Sequence, residues 1–330
     1  MLNAQDIKGL YAILPTPANP NAGELGAINT VDLDETEHLV NALIADGADG
    51  LIALGTTGEC ATLSTPDYES FVNCLLEVVN KRVPTFLGTS ALGGHEVARR
   101  MKFIKERGAD GTLLGPPMWQ PVTDEAAIDF YAGLSKLHPD LAIMVYANER
   151  AFRYSFPDQF WKGVVATAPT VMATKHSRPK SLSALLDIVG KRINVVPNEM
   201  TLANFFMESP KTTTACWATA ASMGPQPVVA LMKAILSANK PEIERLSAAL
   251  TWANAPVKPL IADRELFAFY NIQIEKARIN AAGYCNAGPF RPPYQLLPAH
   301  MTKAAEACGR RWAAICKEAK FDIPKNFETV

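Results

Sequence analysis

Short β-prone runs return along this chain at intervals of roughly 25 to 35 residues, the length of one strand-helix unit. They are GLYAILPTPA, GLIALGTTGE, PTFLGTS, GTLLGPP, AIMVYAN, TVMATKH, INVVPNE and TTTACW. Between them lie stretches such as LDETEHLVNALIADGA, TPDYESFVNCLLEVVNK, GHEVARRMKFIKERGA and DEAAIDFYAGLSKLHP, whose apolar residues stand three or four apart as on one face of a helix. Such alternation predicts parallel strands joined by helices, and eight repeats predict an α/β protein closed as a (β/α)8 TIM barrel. The runs are almost continuously apolar, as strands are when helices cover one face of the sheet and a barrel core fills the other. Ser64 and Thr65 before Pro66, and Thr123 before Asp124 and Glu125, mark helix starts.

After about Gly224 the strand signal stops, and VVALMKAILSA, PEIERLSAALTWA, RELFAFYNIQIEKARINAAG and AHMTKAAEACGRRWAAICKEA all read as helices. The expected organisation is a barrel over residues 1–224, then the final barrel helix and a C-terminal helical appendage packed on it over 225–330. A length of 330 residues fits that plan. Lys plus Arg (32) nearly cancels Asp plus Glu (33), which leaves no global field for nucleic acid or an anionic membrane. MLNAQDIKGL is not a basic start followed by an apolar core, so a cytoplasmic protein is expected. The six cysteines form no C-x-x-C pair, and HExxH, GxxxxGK[ST] and GxGxxG are missing. Any chemistry is therefore expected from ordinary side chains, with no metal or organic cofactor.

Barrel enzymes build their sites at the C-terminal ends of the strands, so the polar residues that close each run are the candidates. They are Thr56, Thr57 and Glu59 after the second run, Trp119 after the fourth, Tyr146 and Asn148 at the fifth, Lys175 at the sixth, Asn198 and Glu199 at the seventh, and Trp217 at the eighth. An ammonium enclosed by barrel walls loses hydration, which favours the neutral amine that attacks a carbonyl. Lys175 is the candidate for that role, although a lysine there could also reach solvent or pair with an acid. Tyr146 should stand beside it on the neighbouring strand, as a proton relay or as a half-buried core tyrosine. GTTGE offers hydroxyls and backbone N–H groups to a small carboxylate, or simply caps the next helix.

GTTGE, the GADGTLLGPP segment, a tyrosine closing the fifth strand and a lysine closing the sixth together resemble the dihydrodipicolinate synthase / N-acetylneuraminate lyase superfamily. The resemblance implies that Thr56 and Thr57 are its threonine pair, Tyr146 its catalytic tyrosine and Lys175 its Schiff-base lysine, in a homotetramer. Two departures separate the chain from the synthases. Trp119 stands where they carry a tyrosine, and YANERAFRYSFP replaces their Asn-x-Pro-x-Arg pattern, with Arg150 and Arg153 out of place for the dicarboxylate-binding arginine.

YANERAFRYSFP, GTTGECATL, PMW, ACWATAASMGP, YNIQIEKARINAAGYCNAGPFRPPY and VDLDE instead resemble the hydratase-aldolase subgroup, which acts on benzylidenepyruvates in bacterial naphthalene and phenanthrene breakdown. That likeness implies an aromatic 2-keto acid substrate, cleaved to an aromatic aldehyde and pyruvate. Its pyruvate end would sit on Thr56, Thr57 and Lys175, with its ring toward Trp119, Trp217 and Asn271, while Tyr146 and Asn148 move protons. Trp217 could also be barrel core and Asn271 an exposed helix residue. A sugar-acid aldolase or dehydratase on the same scaffold remains the alternative. The ring's ortho substituent, hydroxy or carboxy, stays open, with His176 and Arg178 as the nearby groups that could pair with a carboxylate.

Overall fold

The computed structural model describes residues 1–325 and Phe327. Strands and helices alternate from β1 (Gly9–Ile13) through α1 (Leu33–Ala45), β2 (Gly50–Ala53), α2 (Thr65–Val79), β3 (Thr85–Gly88), α3 (Gly94–Glu106), β4 (Gly111–Leu114) and α4 (Asp124–Leu137). They continue with β5 (Ala142–Tyr146), α5 (Glu149–Phe152), α6 (Asp158–Thr167), β6 (Val171–Lys175), α7 (Leu182–Val189), β7 (Asn194–Val196), α8 (Leu202–Glu208) and β8 (Ala215–Ala218). Each expected run supplies one strand.

The strands pair in parallel in the order β7-β6-β5-β4-β3-β2-β1-β8. The last gap closes where Trp217 N–H donates to the Pro197 carbonyl (2.9 Å) and Glu199 N–H donates to the Trp217 carbonyl (3.2 Å). Few residues reach across this seam, so β7 and β8 join only near their C-terminal ends. At the other end of the barrel, Gly50 and Gly111 open β2 and β4, and a Cβ on either would lie 2.3 Å from the Tyr11 ring or 2.4 Å from the Phe86 ring. The two rings meet edge to face at 5.9 Å and fill that space. An aromatic plug below leaves the C-terminal mouth as the open end.

Side-chain caps fix where several helices begin. Ser64 accepts from Asp67 N–H before α2, and Thr123 from Ala126 N–H before α4, each contribution being about 1 kcal/mol. Beyond β8, α9 (Gln226–Leu236) packs on β1 and β8. Then come α10 (Lys240–Asn254), the short α11 (Lys258–Ala262), α12 (Arg264–Ala282) and α13 (Ala299–Lys317), with α12 lying along α13 and α10 packed on α9 and α13. Asn326 and residues 328–330 of the expected tail lie outside the described residues. Among the described residues no helix is long and apolar enough to cross a membrane.

The tail is tied to the barrel by a buried ionic knot. Glu59 sits in the loop after β2 with a left-handed backbone (φ 52°), as does Leu54 (φ 59°). Its carboxylate accepts from Lys276 Nζ at 2.8 Å and from Arg291 Nη1 at 2.6 Å, all three side chains being shut off from solvent. Arg291 also donates to the carbonyls of Thr16, Pro17 and Thr30, and to the Thr30 hydroxyl. Removing one member of such a group leaves a charge unpaired in the interior, which destabilises by about 3–5 kcal/mol.

Candidate active site

A cavity of about 1210 Å³ opens at the C-terminal ends of the strands. Thr56, Thr57, Tyr146, Asn148, Lys175, Asn198, Glu199 and Trp217 line it from the barrel, and Asn271 from α12. Tyr146 and Lys175 are direct register partners on β5 and β6, so their side chains leave adjacent strands at one level. Lys175 is 7% exposed. Its Nζ lies 3.3 Å from the centre of the Trp217 ring and 4.5 Å from that of Tyr146. Among the described residues no carboxylate lies within salt-bridge distance of it. Burial lowers the Lys175 pKa, and the charges of Tyr146 and Glu199 pull only partly the other way.

The phenol of Tyr146 is held on two sides. It shares a hydrogen bond of 2.9 Å with Thr56 Oγ1 and accepts one of 3.3 Å from Asn148 Nδ2. Burial pushes this phenol up, but the Lys175 ammonium together with Thr56 and Asn148 outweighs it, and the net shift is downward. An amine that gives up its proton readily and a phenol that gives up its own readily thus face each other at the buried floor of an open cavity. Such a pair can attack a carbonyl and carry away the water formed.

Two expected site residues lie elsewhere. Trp119 is 74% exposed and does not line the cavity; its carbonyl accepts from Arg153 Nη1 at 3.1 Å. Behind Tyr146 stands Phe152 of α5, whose ring occupies the space a Cβ on Gly115 would fill and meets Tyr146 edge to face at 5.2 Å. Glu59, in the same loop as the threonine pair, is engaged with the tail. Trp217 does line the cavity, but its face lies against Nζ, so it belongs to the amine's surroundings and not only to a remote aromatic end.

The fold also brings in groups that do not stand out in the sequence. Glu275 and Arg278 of α12 line the cavity, with Arg278 Nε donating to Glu275 at 2.8 Å and Nη1 to Asn254 at 2.9 Å. The sequence signal is an acid and a base three residues apart on one helix, in the stretch IQIEKARI. At the mouth stand Arg150, Arg178, Lys180, Lys258 and Arg264. Arg150 lies 4.8 Å over the Phe267 ring, and Arg264 reaches Glu149 at 3.3 Å. His176 stacks on Trp161 at 6.2 Å, and burial pushes its imidazole down to about 4, so it is neutral near pH 7.

Known proteins resemble this chain. A family profile described as Dihydrodipicolinate synthetase family matches residues 9–185. The trans-O-hydroxybenzylidenepyruvate hydratase-aldolase of Pseudomonas putida is 37% identical, with 95% of each chain covered. The trans-2'-carboxybenzalpyruvate hydratase-aldolase of Nocardioides sp. (strain KP7) is 33% identical, again with 95% of each covered. A solved structure described as PhdJ bound to substrate intermediate superposes with a TM-score of 0.91 at 33% identity, covering 95% of this chain and 98% of that one. Barrel, enclosed lysine and full-length similarity agree: the chain belongs to the dihydrodipicolinate synthetase family, alongside its hydratase-aldolases.

Proposed function

We propose that this protein is a Schiff-base hydratase-aldolase that takes a trans-benzylidenepyruvate and releases an aromatic aldehyde and pyruvate. The observation that carries the reading is Lys175 Nζ, enclosed between the Tyr146 and Trp217 rings with no carboxylate to hold its proton. The neutral amine adds to the 2-keto carbon, and Tyr146 passes a proton to the departing hydroxyl, which leaves as water and gives the iminium. Thr56 and Thr57 hold the keto acid's carboxylate. The iminium is conjugated with the side-chain double bond, so the benzylic carbon becomes electrophilic and water adds there. The same cation then accepts the electron pair when the carbon-carbon bond breaks, so one electron sink serves hydration and cleavage.

For the ring's ortho substituent, the guanidinium groups at the mouth support a carboxylate. His176 is neutral and offers no charge, which leaves Arg178 for such a group, with Arg150, Lys180 and Lys258 as further cations at the mouth. The same reading includes a homotetramer and a cytoplasmic location, checked by light scattering and by fractionation of the source cells. The test of function is to mix purified protein with pyruvate and either 2-hydroxy- or 2-carboxybenzaldehyde and watch the conjugated product appear in the ultraviolet. Borohydride added with pyruvate should leave one reduced adduct per chain, mapped to Lys175. No conjugated product from either aldehyde, or an adduct on another lysine, would overturn the reading. A higher kcat/KM for the carboxy substrate that falls in Arg178→Ala is expected; an unchanged preference for the hydroxy substrate would remove Arg178 from the site.

A further inference from the structure

The seam that closes the barrel places two unsatisfied polar groups on the cavity. Glu199 and Trp217 follow β7 and lie in β8, joined through the Glu199 N–H and the Trp217 carbonyl. Both side chains line the cavity that holds Lys175. Glu199 is 6% exposed, and its Oε2 has no hydrogen-bond partner; neither has the buried indole Nε1 of Trp217. An orphaned buried polar atom is disfavoured by about 1–3 kcal/mol and persists in native interiors where a ligand or a reaction uses it. Here one orphan only accepts when ionised and the other only donates. A single oxygen bearing hydrogen, a water or an alcohol, has the chemistry to match both: it gives its hydrogen to a carboxylate and accepts from an indole.

Resting on the function proposed above, we infer that Glu199 is a further catalytic residue, the base for the water that adds to the benzylic carbon and for the hydroxyl it becomes. In hydration the water O–H bond breaks and its proton passes to the Glu199 carboxylate. The oxygen bonds to the benzylic carbon, and the double-bond electrons run to the iminium nitrogen, giving a neutral enamine. Tyr146 protonates the enamine at the adjacent carbon and restores the iminium. Through the solvent-open mouth Glu199 loses its proton and Tyr146 regains one. In cleavage the hydroxyl proton goes to Glu199, the O–H pair becomes the aldehyde carbonyl, and the broken carbon-carbon pair runs to the iminium nitrogen. Trp217 Nε1–H orients the oxygen throughout.

The surroundings suit a base that works near neutrality. Glu199 is faced by Lys175 from β6, Cys216 from β8, and Arg278 and Glu275 from α12. Burial raises its carboxyl to about 7, with Arg278 pulling the other way and Glu275 adding to the rise. Burial also holds the Cys216 thiol well above its usual range, so it stays uncharged. A base that titrates near the working pH is both available and strong enough to take a proton.

Glu199→Gln keeps the shape and removes the base. It should slow cleavage of a benzylidenepyruvate by roughly 10²–10⁴-fold. The rise of kcat with pH through about 7 should disappear, while borohydride trapping of pyruvate on Lys175 continues at the wild-type rate. Should Glu199→Gln fail to fold, Glu199→Asp retains a carboxylate and should keep the pH-dependent rise at a lower kcat; its loss there would overturn the assignment. Wild-type turnover and pH profile in Glu199→Gln would overturn it as well. Parallel loss of adduct formation and turnover would do the same, by reducing Glu199 to a residue that tunes Lys175. Wild-type protein that forms no pyruvate adduct would instead overturn the proposed function itself, and this assignment with it.

Discussion

Lys175 and Lys276 are both shut away from solvent, at 7% and 0% exposed, yet their neighbours differ in kind. Lys276 touches the Glu59 carboxylate at 2.8 Å and the Pro289 carbonyl at 2.7 Å. Lys175 touches the faces of two aromatic rings. Burial lowers the pKa of both amines, but only Lys276 has a carboxylate in contact that works against the shift. Ring faces stabilise an ammonium by about 0.5–2 kcal/mol, well short of what full dehydration removes. Enclosure alone does not make a nucleophile; enclosure without a counter-ion does.

The sharpest way to break this comparison is to delete each lysine's defining feature. Lys175→Ala should abolish turnover, a loss of roughly 10⁴-fold or more, with unfolding in denaturant unchanged or shifted to higher concentration. If catalysis persists, Lys175 is not the nucleophile. Glu59→Gln leaves Lys276 and Arg291 facing each other in the interior and should lower stability by about 3–5 kcal/mol. At low temperature the folded fraction should still form the pyruvate adduct, since the amine of Lys175 is untouched. A variant of normal stability would show that the ionic knot is incidental.

His176 sharpens the contrast, being buried with desolvation as the sole cause of its shift. Its pKa is about 4 when folded and about 6.5 when unfolded, so below pH 6.5 the unfolded chain binds a proton that the native state refuses. Stability from this group is complete above pH 6.5 and drains away as the pH falls toward 4, by about 3 kcal/mol in all. His176→Phe keeps a ring on Trp161 and should flatten that part of the pH-stability curve, measured by denaturant titration at pH 7 and pH 4.5. An unaltered acid slope would assign it to other groups. The smallest effect is expected at Trp217. Trp217→Ala should slow pyruvate trapping as well as aryl cleavage by roughly tenfold, because the ring lies on Nζ. Trapping at the wild-type rate would return Trp217 to a purely aryl-binding role.

The barrel is legible in the sequence because its signals are local. Strand runs, helical spacing and caps such as Ser64 and Thr123 depend on residues a few positions apart, and all eight strands form where they are expected. Lys175 stands out for the same reason, as a charge closing an apolar run, and its neighbour Tyr146 follows from strand order alone. Glu59 stands out only as a polar residue after the second run, and its structural role does not, because its partners lie 217 and 232 positions away. Trp119 lies outside the cavity because a motif fixes a residue's place in the chain but not the direction its loop takes. The tuning of Glu199 is invisible in sequence, since it arises from burial inside the folded barrel, with Arg278 and Lys175 on other elements opposing it and Glu275 adding to it. The short helices α5 and α11 escaped because one turn carries no periodicity to read.

Glu59 has a consequence for the order in which the molecule is made. The loop carrying Thr56 and Thr57 leaves the ribosome early, but the residue that anchors it meets Lys276 and Arg291 only after most of the chain has followed. At roughly 5–20 residues per second, that is a wait of roughly ten to fifty seconds. Until then a glutamate destined for the interior has no cation beside it, and the loop has no reason to hold its left-handed turns. The threonine cradle is thus among the first parts translated and among the last to set, so a nascent chain can have most of its barrel strands in place before it has a working site.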